Sequence, residues 1–251
     1  MPFVKPTPDE IRKTARAAVS ALEKNNLKAC LFGSAACAIY GMENRDPNDV
    51  DLIVLTNTIG QEQIKRLLVL TDSDFFLVPS TNPYANYRVL WYNLQPSNPS
   101  KVSDRATRCK VDVLVPGLLS IPNIPPRLIS FEQTYPDIPL TPFFTLLLLK
   151  LRGWWDHLTD HREYMWEKVT IDEGDIKELL AIAVEEYEVH LQTERWLPMW
   201  LIEESEERVR KYVIHCPDTM DAWSEIGFDL DFSYDEPSDS EEDLNFDDFR
   251  I

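Results

Sequence analysis

The sequence predicts a mixed α/β (α+β) protein: a sheet domain over residues 1–120, a proline-rich connector over 121–142, a helical domain over 143–226 and a disordered acidic tail over 227–251. Three observations carry this expectation. Short runs of β-formers alternate with helical periodicities through the first 120 residues. Seven prolines lie between Pro116 and Pro142, counting both ends, and a residue without an amide donor suits neither a ladder nor a helix interior. Beyond them the composition turns helical until about Gly227, where Asp, Glu and Ser take over and too little apolar surface remains to offset the entropy of ordering.

Each element has its local reason. Residues 8–25 read as a helix, because Thr7 and Glu10 have the spacing of a capping box, Pro8 suits the first helical position, and Ile11, Ala15, Ala18, Val19 and Leu22 share a face. An apolar stretch, Leu27 to Phe32, leads through Gly33-Ser34 into a small-residue helix, Ala35 to Tyr40. A polar loop with Asn44, Asp46, Pro47 and Asn48 then feeds a strand, Val50 to Leu55. A helix follows from Gln61 to Leu70, then strands at Phe75–Val78, Tyr87–Tyr92 and Lys110–Val115, the last two separated by a polar loop, Gln95–Asp104. The C-terminal helices are expected at Phe143–Trp155, Asp172–Trp196 and Leu201–Val213.

The formal charge of −18 is unevenly spread: residues 221–251 contribute −11 and the rest −7. Coating DNA through its phosphates is disfavoured, since that needs clustered Lys and Arg. The opening MPFVKPTPDE lacks a basic-then-apolar leader pattern, and the longest near-apolar run, Phe143 to Leu149, falls far short of a membrane span. Cys30, Cys37, Cys109 and Cys216 form no CxxC pair and read as reduced thiols. The expectation is an intracellular protein, cytoplasmic or nuclear, with no membrane partner.

Three carboxylates stand out by context. Asp49 and Asp51 flank Val50 at the start of a strand, and residues two apart on a strand point to the same face. Asp112 interrupts Val111-Asp112-Val113, where a lone charge among β-formers is costly unless paired or coordinated. If the two strands are neighbours, three carboxylates converge and demand a cation, and hard oxygen ligands select Mg²⁺ or Mn²⁺. Upstream, Gly33-Ser34 lies between a strand and a helix start, where backbone amides, a close glycine and a hydroxyl suit a phosphate. There is no Walker A or GxGxxG pattern.

Gly33-Ser34, then Asp49-x-Asp51, then a strand Asp112 resembles the polymerase-β-type nucleotidyltransferase superfamily. The likeness is to its minimal and toxin-like branches (AbiEii- and MenT-like), where Arg precedes the first Asp by four as Arg45 does here, and to a group of fungal proteins with such a domain. Leu146 to Arg152, followed by Arg162, Lys168 and Asp175-Ile176, is similar to the helix that follows the catalytic domain there, so the resemblance spans residues 27–180. It implies two-metal transfer of a nucleotidyl group, most simply AMP from ATP, to a hydroxyl acceptor, with release of pyrophosphate. By the same resemblance Asp49 and Asp51 bridge both metals, and Asp112 holds the nucleophile-side metal and accepts the acceptor's proton. Gly33 and Ser34 hold terminal phosphates, Lys150 supplies charge to the triphosphate, and Arg45 orients the carboxylates or reaches a phosphate.

The acceptor stays open among a small molecule, a protein and a tRNA, although an acidic body suits a cationic acceptor better than a nucleic acid. The alternative reading is a catalytically silent nucleotide-binding or protein-interaction module on the same fold. His157 and His161 are four apart but lack the Glu of HExxH and a third ligand, so they read as polar helix-end residues. The tryptophans of the helical half read as core packing. Ser238 to Asp243 suits an acidophilic kinase, and the acidic tail with its interspersed aromatics suits a protein partner.

Overall fold

The computed structural model describes residues 4–82, 84–94 and 108–230. The loop expected at Gln95–Asp104 and the acidic tail beyond Leu230 lie outside the described residues. The chain begins with α1 (Pro8–Glu23), whose capping box forms as expected: Glu10 N–H donates to Thr7 Oγ1, and Thr7 N–H donates to the Glu10 carboxylate. Then come β1 (Ala29–Phe32), α2 (Gly33–Ile39), β2 (Asp49–Val54), α3 (Gln61–Thr71), β3 (Phe75–Pro79), β4 (Arg88–Asn93) and β5 (Arg108–Leu114). All of these fall within a few residues of their expected positions.

One seven-stranded sheet runs in the order β3-β4-β5-β2-β1-β7-β6. Its last two strands, β6 (Ser130–Glu132) and β7 (Tyr135–Leu140), come from the stretch expected to be an irregular connector. That expectation is corrected here. Proline removes only its own donor, and Pro136 and Pro139 stand between the residues of β7 that pair, Tyr135 with Glu132 and Leu140 with Leu31 and Ser130. A register shift in the β6–β7 pair absorbs the mismatch.

The C-terminal half contains α4 (Phe143–Leu158), α5 (Glu163–Trp166), α6 (Val169–Glu185), α7 (Met199–His215) and α8 (Met220–Glu225). The helix expected over Asp172–Trp196 begins three residues earlier and stops at Glu185, before a left-handed Glu188 (φ 46°) and the turns that lead to Pro198. The ordered chain also runs past Gly227. Phe228 is buried, stacks on Phe144 with centroids 6.2 Å apart and meets Trp223 edge-on at 5.3 Å. One large apolar cluster joins α1, the sheet and the helices, from Ile11 and Leu22 through Leu52 and Val113 to Trp154, Leu179 and Trp223. Trp154 is fully buried as expected, while Trp166 and Trp200 are exposed.

The two faces of β2 and β5 differ, and that difference positions the site. Val50, Leu52 and Val54, with Val111 and Val113, face the large cluster. The opposite face carries Ile53 and Leu114, with Cys30 of β1 beside them, packed with Ile121, Ile124 and, from α4, Leu149. On that second face, where β2 begins, the carboxylates emerge. Among the described residues no helix is long and apolar enough to cross a membrane, and the four cysteines are free and buried.

Candidate active site

β2 and β5 are parallel neighbours at the centre of the sheet, with Asp51 opposite Asp112 and Asp49 opposite Lys110. The alternation of side chains then puts all four groups on one face. The three aspartates each offer an oxygen within 4.8 Å of the others, so the convergence expected from sequence is realised. Burial, with Asp49 and Asp112 adding repulsion, pushes the Asp51 carboxyl up to about 8. Burial also raises Asp49, outweighing the opposing charge of Lys110.

β1 runs antiparallel to β2 with Phe32 opposite Asp51, so the chain leaves β1 and turns into α2 directly beside that carboxylate. Gly33 makes the turn at φ +65°, and a Cβ there would lie 2.2 Å from Asp51 Oδ2. Glycine is therefore required twice, for its dihedral and for its missing side chain. Ser34 follows as a buried residue of α2. The helix has Phe32 at its cap position with no side-chain cap bond, so Ser34 is not the helix cap.

Lys110 is the site residue that sequence reasoning missed. Its Nζ donates to Asp112 Oδ2 at 2.5 Å and lies 4.0 Å from Asp49 Oδ2. Burial opposes its charge, but Asp112 and Asp49 more than offset that and hold its pKa above the ordinary lysine value. The available signal was Lys110-x-Asp112 itself, since the spacing that aligns Asp49 with Asp51 aligns this pair too.

Arg45 and Lys150 meet on Asp175 of α6, near enough to the aspartates for both charges to oppose the rise in the pKa of Asp49. Lys150 Nζ donates to Asp175 Oδ2 at 2.5 Å, Arg45 donates through Nε and Nη2 at 2.9–3.2 Å, and Asn44 Nδ2 donates to Oδ1 at 2.8 Å. Asp175 is fully buried, and these donors outweigh burial and keep its pKa below the ordinary value. Nearby, Glu178 of α6 accepts the backbone amides of Glu43 and Asn44 at 2.6 and 2.7 Å, fixing the loop that delivers Asp49. A cleft of about 510 Å³ opens along this loop, lined by Lys5, Arg45, Asp46, Asn48 and Thr170 among others. The buried Oδ1 of Asn48, immediately before Asp49, has no hydrogen-bond partner among the described residues.

The two histidines do not share a site. α4 ends at Leu158, His157 Nδ1 sits 2.5 Å from Asp172 Oδ2 of α6, and His161 is exposed beside Asp160. Among the described residues the aspartate triad is the cluster with metal-ligand geometry. Its all-oxygen donor set and crowded negative charge fit a hard divalent cation.

No protein-family model matches the chain, and no curated protein matches it. Among solved structures it is similar to the crystal structure of an antigenic nucleotidyltransferase-like protein from Paracoccidioides brasiliensis, with a TM-score of 0.61 and 17% identity over 89% of this chain and 95% of that one. The chain therefore has a nucleotidyltransferase-like fold.

Proposed function

We propose that this protein is a divalent-cation-dependent nucleotidyltransferase that moves a nucleoside monophosphate, most simply AMP from ATP, onto a hydroxyl acceptor. The observation that carries this reading is the convergence of Asp49, Asp51 and Asp112 on two adjacent parallel strands, beside a left-handed glycine that lies against Asp51. The fold supports it, since a nucleotidyltransferase-like protein shares it.

Asp49, Asp51 and Asp112 would hold the cation, Mg²⁺ or Mn²⁺, which when bound neutralises charge on the triphosphate and on the attacking oxygen. The Gly33-Ser34 turn lies against Asp51 and offers a hydroxyl and backbone amides to the phosphates. Arg45 and Lys150 place two positive charges on the single carboxylate of Asp175, so one positive charge and several N–H donors remain for a polyphosphate. In the transfer, the acceptor oxygen bonds to the α-phosphorus as the α–β bridging bond breaks. Pyrophosphate leaves with that bond's electrons, and the acceptor's proton passes to Asp112. A place in the AbiEii- and MenT-like branch belongs to the proposal too, supported by Arg45 standing four residues before Asp49. Asn48 and the cleft beside it are the proposed seat of the acceptor. An intracellular location, and a protein partner for the acidic tail, belong to the same proposal.

The test is release of pyrophosphate from ATP with Mg²⁺ or Mn²⁺ and a panel of hydroxyl acceptors, in wild type and in Asp49→Asn/Asp51→Asn. The reading expects release that needs the cation and falls at least a hundredfold in the double variant. Nucleotide binding without release from any of the four common triphosphates would favour the silent binding module.

A further inference from the structure

The hydrogen bonds that hold the loop before Asp49 run to one stripe of α6. Among the described residues, none of residues 43–47 forms a backbone–backbone hydrogen bond. The bonds this segment does make end on α6. Glu178 accepts the Glu43 and Asn44 amides at 2.6 and 2.7 Å, and Asp175 accepts the side chains of Arg45 and Asn44. Asn44 Nδ2 also stands 3.5 Å from the Ile171 carbonyl oxygen.

Gly174 completes the stripe. Ile171, Gly174, Asp175 and Glu178 are spaced i, i+3, i+4 and i+7, so they share a face of the helix. A glycine in a helix interior is destabilising relative to alanine, so this one asks for a reason. A Cβ on Gly174 would lie 2.9 Å from Asn44 Nδ2 and 3.0 Å from Asn44 Oδ1. The Asn44 amide is also tied to Asp175 Oδ1 at 2.8 Å, so making room for a Cβ would pull on that bond. The bare turn of α6 is therefore the seat of Asn44. Glu178 acts beside it, with both oxygens turned onto consecutive loop amides.

We propose that this stripe is a positioning device for the candidate active site: through residues 43–45, Gly174 and Glu178 set where Asp49 stands against Asp51 and Asp112, without touching cation or nucleotide. The inference rests on the nucleotidyltransferase reading. Asp49 opens β2 four residues after Arg45, so a loop that slackens carries the carboxylate with it. The Glu178 bonds and the Asn44 seat do not involve the guanidinium. Arg45 is thus able to turn from Asp175 to a phosphate without releasing the loop.

The test measures the Mn²⁺ affinity of the full chain with saturating α,β-methylene-ATP by electron paramagnetic resonance, beside hydrogen exchange of the loop amides and Tm without ligand. Glu178→Ala should speed exchange at Glu43 and Asn44 and weaken Mn²⁺ about tenfold, the scale of losing a group that orients metal ligands. Glu178→Gln is neutral but still accepts one of the two amides, so it should fall between. Gly174→Ala changes no charge and should weaken Mn²⁺ severalfold as well. A merely structural stripe would lower Tm in these variants and leave Mn²⁺ affinity where it is; that result, or loop exchange that does not respond, would overturn the positioning role. Equal losses in the two Glu178 variants with none in Gly174→Ala would trace the effect to charge and overturn it too. Unchanged Mn²⁺–nucleotide binding in Asp49→Asn/Asp51→Asn would instead overturn the underlying reading, and this proposal with it.

Discussion

Two charge clusters lie along the loop and strand that contain Arg45, Asp49 and Asp51, and they are balanced in opposite ways. In one, three carboxylates face a single ammonium, and two of the carboxylates are pushed above their ordinary pKa values, Asp51 to about 8. In the other, a guanidinium, an ammonium and an amide converge on the one carboxylate of Asp175, which is held below its ordinary value. The second cluster is complete: it ties the loop before β2 to α4 and α6 and has positive charge to spare. The first keeps an excess of negative charge that a cation from solution could balance. Stability is invested in one cluster and given up in the other, the usual relation between a structural ion pair and a site that waits for a ligand.

The largest effect should come from breaking the complete cluster. Asp175→Ala would leave Lys150 and Arg45 without their shared partner, and removing one member of a buried ion pair costs about 3–5 kcal/mol. Denaturant unfolding should show that loss near neutral pH. The depressed pKa of Asp175 gives this stability a sign: it is present above the unfolded carboxylate's value of 3.8 and disappears as pH falls through the lower folded value.

Gly33→Ala should act on both fold and site. A left-handed alanine costs about 1–2 kcal/mol, and its Cβ would force the Asp51 carboxylate away from Asp49 and Asp112. Cation-dependent transfer should fall by more than tenfold while the unfolding midpoint moves only a few degrees. An unchanged rate would show that the close approach of Gly33 does not position Asp51.

The last effect sharpens the comparison because its sign is opposite. Asp51→Asn should stabilise the cation-free protein at neutral and higher pH, since it removes a buried carboxyl that resists ionisation. The folded carboxyl holds its proton to about 8 while the unfolded one releases it near 3.8, so wild type loses stability as pH rises between those values. Below pH 3.8 both side chains are neutral and the two proteins should match. Parallel stability curves across pH 4–8 would mean that Asp51 carries no such burden.

How much of this was legible in the sequence depends on the range of the interaction. The Thr7–Glu10 capping box, the alternation of β2 and the shared face of Asp49 and Asp51 are local patterns, and they read correctly because the chain's own periodicity sets where side chains point. The parallel pairing of β2 with β5 confirmed the convergence, yet the same register places Lys110 opposite Asp49 across some sixty residues of sequence, which local spacing does not report. Asp175 was visible as part of a motif, but its grip on Arg45 and Lys150 depends on α4 packing against α6. β6 and β7 were missed for a different reason. The proline count recorded lost donors correctly, but a short strand near the sheet edge needs few of them.

The central claim, that the anion-rich cluster takes a cation and a nucleotide together, is tested most directly by thermal unfolding of wild type and Asp49→Asn/Asp51→Asn with ATP and Mg²⁺. Ligand at a hundredfold excess over Kd stabilises a single site by about 2.7 kcal/mol. The account predicts an upward shift in Tm for wild type that needs both ATP and Mg²⁺ and is absent from the double variant. No shift in wild type with any of the four common nucleotides, or an equal shift in the double variant, would contradict it.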